Sequence, residues 1–389
     1  MTIKRIAICT GGGDAPGLNA VIRSAVLAAL NRGWECCGIR DGYTGLLEPE
    51  IYGERGGIIP LTRETVAGIT HLGGTILGTN NQGQPFKRTI TDETGQAIEI
   101  DLTDKLVAAF RAARFDALIA IGGDGSMAAA HTLYQKGIPV VGVPKTIDND
   151  LHGTVITFGF DTAVSFATEC IDRLRVTAEA HRRIMIVEVM GRYAGWIALN
   201  AGVSGTADII LIPEIRYDIH KVAARIRALR AMGNDSAIIV VAEGARAVGE
   251  KGTGRLRHAG SGRLSGVATR LARRLEELLD LETRVVVLGH LLRGGTPTTF
   301  DRLISLRFGA AAVRALEEGQ FGHMVGLDPP TVRYVPLDVA TREIKRVPLN
   351  SDTILTARDL GICFGDYNPP DADGGCMELP TISNYRVRP

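Results

Sequence analysis

The sequence predicts an α/β fold of two doubly wound, Rossmann-like lobes with largely parallel sheets, the active site lying in the cleft between them. Three observations carry this. Short, uniformly apolar runs alternate with amphipathic stretches of helix length, as expected for strands covered on both faces and joined by crossover helices. Glycine clusters follow several of these runs, and in such sheets ligands bind beyond the carboxyl ends of the strands. The chain has 389 residues, and at about 150 residues per domain it makes two or three units.

In order, the strands are Ile6-Ala-Ile-Cys9 within 5–9, Ala117-Leu-Ile-Ala-Ile121, Val140-Val-Gly-Val143, and then Ile184-Met-Ile-Val-Glu-Val189. Ile209-Ile-Leu-Ile212, Ala237-Ile-Ile-Val-Val241 and Val285-Val-Val-Leu288 follow. Helical periodicity fills 18–31, 126–136, 162–180, 221–232, 262–279 and 301–317. No internal repeat stands out, and 369–389, rich in Pro, Gly and Asp, reads as a surface tail.

Hydrophobic residues make up 45% and charged residues 22%, enough apolar material for a sizeable core. Lys plus Arg total 44 against 43 Asp plus Glu, a net charge of +1. No excess positive field is available to hold a polyanion, which argues against nucleic acid and membrane as partners. An anionic ligand must then be held by a few placed cations and backbone amides. Six cysteines (Cys9, Cys36, Cys37, Cys170, Cys363, Cys376) form no C-x-x-C pair. They read as reduced thiols. With neither a secretory signal nor an apolar run of spanning length, the expected location is the cytoplasm.

Thr10-Gly-Gly-Gly-Asp-Ala-Pro-Gly17 follows the first strand and opens the first helix. Successive glycines let backbone N–H groups converge, and the helix N-terminus adds partial positive charge, which together suit a phosphate. A tight turn that binds nothing is the alternative. The sequence is neither a Walker A loop nor a dinucleotide fingerprint. Ile121-Gly-Gly-Asp-Gly-Ser126 repeats the design with an acid inside it. Asp124 could hold a divalent cation bridging phosphates, or could cap the following helix.

Pro144-Lys-Thr-Ile-Asp-Asn-Asp150 follows a third strand. Carboxylates just past a strand end suit a general base with an orienting partner, though an Asx-rich turn has the same composition. Farther on, Met190-Gly-Arg192, Glu243 and Leu288-Gly-His-Leu-Leu-Arg-Gly-Gly295 each follow an apolar strand. His290 and Arg293, bracketed by glycines, suit an anion clamp. Arg183 and Arg284 stand at strand starts, the end away from their own lobe's loops.

Taken together, Gly12-Gly-Asp-Ala-Pro-Gly-Leu-Asn19, Gly122-Gly-Asp-Gly-Ser126, Pro144 to Asp150, Val187-Glu-Val-Met-Gly-Arg192 and Leu288 to Gly295 have the order and spacing of the 6-phosphofructokinases. The resemblance covers about residues 5–326, and the C-terminal part is similar to an extended bacterial branch less distinctively. It implies a donor lobe for ATP and Mg²⁺ over 1–159 and 292–345, and a sugar-phosphate lobe over 160–291 and 346–389. It further implies that Asp148 takes the proton from the sugar 1-hydroxyl, with Thr146 and Lys145 beside it. Arg192 would stabilise the transferring phosphoryl group and Asp124 would hold Mg²⁺. Donor contacts fall to Gly12, Gly13, Asn81, Gly123, Asp124, Gly125 and Ser126. Fructose 6-phosphate contacts fall to Thr146, Asp148, Met190, Gly191, Arg192, Glu243, His290 and Arg293, with Arg183 and Arg284 reaching in from a neighbouring subunit of a dimer or tetramer. Phosphoryl transfer needs positioning, a metal and cations, and the resemblance supplies residues for each.

The family divides between ATP and pyrophosphate as donor. Gly125, where pyrophosphate users resemble one another in having Asp, leaves room for a nucleotide, whereas Lys145 is shared with pyrophosphate users. Exclusion by a side chain outweighs added attraction, so ATP is expected and pyrophosphate is the alternative. Asn81 stands near where short bacterial members carry a phosphate-contacting Arg, which leaves Lys145, Lys87 or Arg88 to replace that charge. Leu27 and Gly233-Asn-Asp235 break those members' effector pattern, although Arg23 and Arg175 remain. A non-catalytic subunit would be expected to lose Asp124 or Asp148. A kinase for a lipid or nicotinamide nucleotide would not need the Met-Gly-Arg and His-x-x-Arg segments.

Overall fold

The computed structural model describes residues 2–80, 86–91, 97–250 and 266–366. The described residues divide into two compact units. The first takes them from Met1–Ile147, Leu151–Thr162 and Arg293–Ile344, and the second from Asp148–Asp150, Ala163–Leu292 and Lys345 onward. Cys376 and the tail at 369–389 lie outside the described residues.

The first unit is built on a seven-stranded sheet. Its order is Thr331–Pro336, His323–Asp328, Val140–Pro144, Ala117–Gly122, Arg5–Thr10, Glu35–Ile39 and Ile58–Pro60. The central strands pair in parallel, while the outermost strand on each side runs antiparallel to its neighbour. Alternation along each strand divides the core, since successive side chains leave opposite faces. On one face Ile6, Ile8, Ile119, Ile121, Val141 and Val143 pack against the helices Leu18–Leu30 and Thr299–Glu317. On the other, Ala7, Cys9, Leu118, Ala120 and Val140 meet the helices Thr103–Ala112, Asp124–Gln135 and Leu337–Ala340.

The second unit has four parallel strands in the order Thr283–Val287, Ile184–Val189, Ala237–Ala242 and Ile209–Leu211. One face carries Ile184, Ile186, Ile209, Leu211, Ile239 and Val241, covered by the helices Ile219–Ala231 and Val267–Leu279. The helix Trp196–Ser204 lies on the other face, so close that a Cβ on Gly202 would stand 2.6 Å from the Ile210 side chain. The later chain adds to this sheet: the Ile210 amide donates to the Cys363 carbonyl at 2.9 Å. Arg358, 5% exposed, then clamps Asp366 through two bonds of 3.2 and 2.6 Å.

All seven strands expected from the apolar runs are present, within a few residues at their ends. Six more were not expected: Glu35–Ile39, Ile58–Pro60, the hairpin Lys87–Thr91 with Ala97–Asp101, and the pair His323–Asp328 with Thr331–Pro336. Of these, Ile58–Pro60, Thr331–Pro336 and the two strands of the hairpin lie at sheet edges, where pairing tolerates polar residues and hides a strand from a search for apolar runs.

Gly309 is where Thr299–Glu317 touches Leu18–Leu30, because a Cβ there would lie 2.2 Å from Ser24 Oγ and 2.4 Å from the Val21 carbonyl oxygen. Gly309→Ala should therefore destabilise the first unit by about 1–3 kcal/mol through overpacking. Gly125→Ala, with nothing within 4 Å of the added Cβ, should not. Thermal unfolding of the two variants checks the contrast.

Candidate active-site loops

In the first unit three loops leave the carboxyl ends of neighbouring strands, Arg5–Thr10, Ala117–Gly122 and Val140–Pro144. They are stitched by backbone bonds: Gly11 N–H to the Ile121 carbonyl at 2.9 Å and Lys145 N–H to the Gly122 carbonyl at 2.9 Å. A fourth segment joins them, since Gly12 N–H donates to the Asn80 carbonyl at 3.0 Å and Thr79 Oγ1 donates to the Gly12 carbonyl at 2.5 Å. Asn81 itself lies outside the described residues. Buried Asn19 holds this segment from the first helix, donating to the Leu72 and Gly73 carbonyls at 3.2 and 3.1 Å and accepting from the Ile76 amide at 2.9 Å.

Side chains would not fit between these loops. A Cβ on Gly11 would stand 2.7 Å from Ser126 Oγ, one on Gly122 only 2.2 Å from it, and one on Gly13 2.6 Å from the Arg293 guanidinium. Gly12 has φ of +76°, a conformation glycine adopts at little cost. Lys145 is 3% exposed, and its ammonium donates to the Gly13 carbonyl. That cation lies beside Gly12, 3.3 Å from where a Cβ would be. Gly123 caps the helix Asp124–Gln135, which places Asp124, Gly125 and Ser126 in its first turn. Asp124 is exposed. Gly125 alone in this group has open space around it, with no atom within 4 Å of an added Cβ. Arg293 belongs to this unit and donates to the Asp14 carbonyl at 3.1 Å, beside the glycine loop. Thr146 accepts through its carbonyl from Thr157 Oγ1 at 2.7 Å.

Asp148–Asp150 falls in the second unit. Asn149 is 4% exposed and has φ of +51°, and its side-chain oxygen accepts from Lys345 Nζ at 2.8 Å. Burial pushes the Lys345 pKa down to about 8, against the attraction of Asp150. The loops after Ile184–Val189 and Ala237–Ala242 meet edge to edge. Glu243 N–H donates to the Val189 carbonyl at 2.9 Å, and Gly244 N–H to the Gly191 carbonyl at 3.1 Å. Met190, Gly191, Arg192 and Glu243 are thereby brought together, with the Arg192 guanidinium 5.1 Å from the Tyr193 ring centroid. The neighbouring strand Thr283–Val287 leads into the short 3₁₀ turn Gly289–Arg293, where His290 is exposed. At the opposite end of the sheet, Arg183 and Arg284 both bond to Glu282.

Lys345, Trp196 and Glu214 drew no attention in the sequence. Glu214 accepts from Gly195 N–H at 3.1 Å and Val347 N–H at 2.9 Å, and burial pushes its pKa up. Only the Gly195-Trp196 pair, three residues past Arg192, offered a local signal.

Comparison with known proteins agrees with this geometry. The family described as phosphofructokinase matches residues 5–316. The ATP-dependent 6-phosphofructokinase of Chloroflexus aurantiacus is 49% identical over 363 residues, 93% of this chain and 98% of that protein. Among solved structures, Pichia pastoris phosphofructokinase in the T-state matches with a TM-score of 0.72 at 29% identity, over 88% of this chain and 36% of that one. A pyrophosphate-dependent phosphofructokinase from Marinobacter aquaeolei matches with a TM-score of 0.75, covering 96% of this chain and 94% of that one. At 22% identity its likeness shows the fold alone. With its glycine loops, its two units of mostly parallel sheet and a family match from the first strand nearly to the end of the helix Thr299–Glu317, this chain belongs to the phosphofructokinase family.

Proposed function

We propose that this chain is an ATP-dependent 6-phosphofructokinase, transferring the γ-phosphoryl group of ATP to the 1-hydroxyl of fructose 6-phosphate to give fructose 1,6-bisphosphate and ADP. The open space at Gly125 carries the choice of donor. It supports accommodation of the α-phosphate and ribose that pyrophosphate lacks, and the 49%-identical relative is named for ATP. Lys145, turned to the Gly13 carbonyl, adds a cation beside the glycine loop.

In this reading the converging amides of the Gly12 and Gly123 loops, with the helix N-terminus at Asp124–Ser126, hold the donor phosphates. Asp148 accepts the proton of the sugar hydroxyl as that oxygen forms its bond to phosphorus, while the bond from phosphorus to the β-bridging oxygen breaks. Arg192 balances charge on the transferring group. Met190, Gly191, Glu243, His290 and Arg293 orient the sugar phosphate, so that most of the catalysis is positioning. Mg²⁺ fits the same site. It is bound through one or two carboxylates plus substrate phosphates, and exposed Asp124 offers one carboxylate. Among the described residues no cluster of three or more His, Cys, Asp or Glu forms an all-protein cage. When bound, the cation neutralises charge on the phosphates. No described helix is long and apolar enough to cross a membrane.

Asp148→Asn should leave substrate affinities nearly intact and cut turnover by roughly 10²–10⁴-fold, the range for a lost general base. A variant keeping more than a tenth of the wild-type rate would remove Asp148 from that role.

The arginines Arg183 and Arg284 point to a homo-oligomer, since they stand at the sheet end away from their own unit's loops and are held as a pair by Glu282. Activity should fall on dilution as subunits dissociate. A fully active monomer in sedimentation would count against subunit sharing.

The donor assignment is tested by assaying ATP and pyrophosphate separately with fructose 6-phosphate. ATP should be the faster donor. Gly125→Asp puts a carboxylate in the open space, and like-charge repulsion of about 3 kcal/mol should lower ATP use by about a hundredfold. Faster use of pyrophosphate by the wild type would mean that Lys145 governs the choice.

A further inference from the structure

We propose that Lys345 is a positioning residue for the transfer reaction, fixing the Asp148–Asp150 turn and tying it to the loop that bears Arg192. The inference rests on the reading of Asp148 as the base.

Two bonds from Lys345 reach the turn. Its ammonium donates to Asn149 Oδ1 at 2.8 Å, and its backbone N–H donates to the Asp150 carbonyl at 2.8 Å. Between them they grip both residues that follow Asp148. The turn has reason to need the grip, because Asn149 lies in the left-handed region, φ of +51°, which an L-residue other than glycine adopts at a cost. Persistence of such a residue at a reactive turn requires surroundings that determine it.

Lys345 is in turn fixed from behind. Its carbonyl accepts from Trp196 Nε1 at 2.9 Å, and its ammonium lies 5.5 Å from the centroid of the Trp196 ring. Glu214 receives the amides of Gly195 and Val347, one next to Trp196 and the other two residues past Lys345. Trp196 begins the helix Trp196–Ser204, four residues after Arg192. One connected set of bonds therefore runs from the turn at Asp148 to the loop of Arg192, all within the second unit. A side chain that only filled space here could be apolar. Burying an ammonium costs desolvation, as the lowered pKa of about 8 records, and a hydrogen bond to a buried amide oxygen gives that cation a use.

The test is a double-mutant cycle in the full chain with Lys345→Met and Asn149→Gly. Glycine accepts the positive φ, so the second variant removes the acceptor and spares the turn's backbone. Each single variant should lower kcat by about 10- to 100-fold, the scale of a slight misplacement of a reacting group, with KM for ATP and fructose 6-phosphate changed by less than about threefold. The double variant should be no worse than the more damaged single one, because both remove the same bond. Multiplying losses, or an unchanged kcat in Lys345→Met, would overturn the proposal. If Lys345→Met does not fold, Asn149→Gly alone decides, and wild-type turnover there is again fatal. Asp148→Asn separates the two readings. High activity in that variant defeats the base assignment itself, whereas an inactive Asp148→Asn beside an unimpaired Asn149→Gly defeats only the role of Lys345.

Discussion

The approach of backbone to backbone at the carboxyl ends of three neighbouring strands is the constraint on which the first unit depends. Gly11, Gly122 and Gly13 each lie where a Cβ would overlap Ser126 or Arg293. Side chains excluded from that space leave amides to point into it, and amides are what an anion needs. The same closeness brings Ser126, from the second loop, against both Gly11 and Gly122. Lys145 lies along the first loop, its ammonium donating to the Gly13 carbonyl. The helices packed on either face of the sheet keep these strands in register, so the apolar core and the polar rim are parts of one arrangement.

The second unit reaches a related result by a different route. Its loops meet through Gly191 and Gly244, but the turn at Asp148–Asp150 is held by side chains and amides that come from the end of the fold. The cation involved is an expensive group to bury, since desolvation of an ammonium is offset only by well-placed partners. Asn149, Asp150 and the face of Trp196 are those partners. Glu214 is a second, partly buried charge in the same region, and backbone amides oppose the rise of its pKa. Partly buried charges of opposite sign thus brace the two loops that carry Asp148 and Arg192.

Much of this was legible in the sequence, and the reasons are local. The central strands are buried on both faces, which makes them short apolar runs with unmistakable ends. The glycine loops are contiguous, so their proximity follows from strand order once parallel pairing is granted. The edge strands were not legible, because segments such as Lys87–Thr91 and Thr331–Pro336 mix charged and apolar residues. Lys345 was hidden for another reason. It bonds to Asn149 across 196 residues, and nothing near either residue announces the pairing. Arg183 and Glu282, 99 residues apart, show the same limit. Spacing along the chain reveals what a loop carries, and long-range pairing decides what holds the loop still.

The two rims of the seven-stranded sheet bear on how this molecule survives crowding. A sheet edge offers unpaired amides and carbonyls to any strand that drifts past, which is how ordered aggregates grow. Here one rim is a strand of three residues, Ile58–Pro60, and the other is Thr331–Pro336. Both end in proline, which has no amide hydrogen to offer, and the longer rim carries Arg333. A stray strand would find too short a template on one side and a charge on the other, with an incomplete ladder on both. The molecule can thus keep a wide, mostly buried sheet at its centre without inviting its copies to polymerise along it.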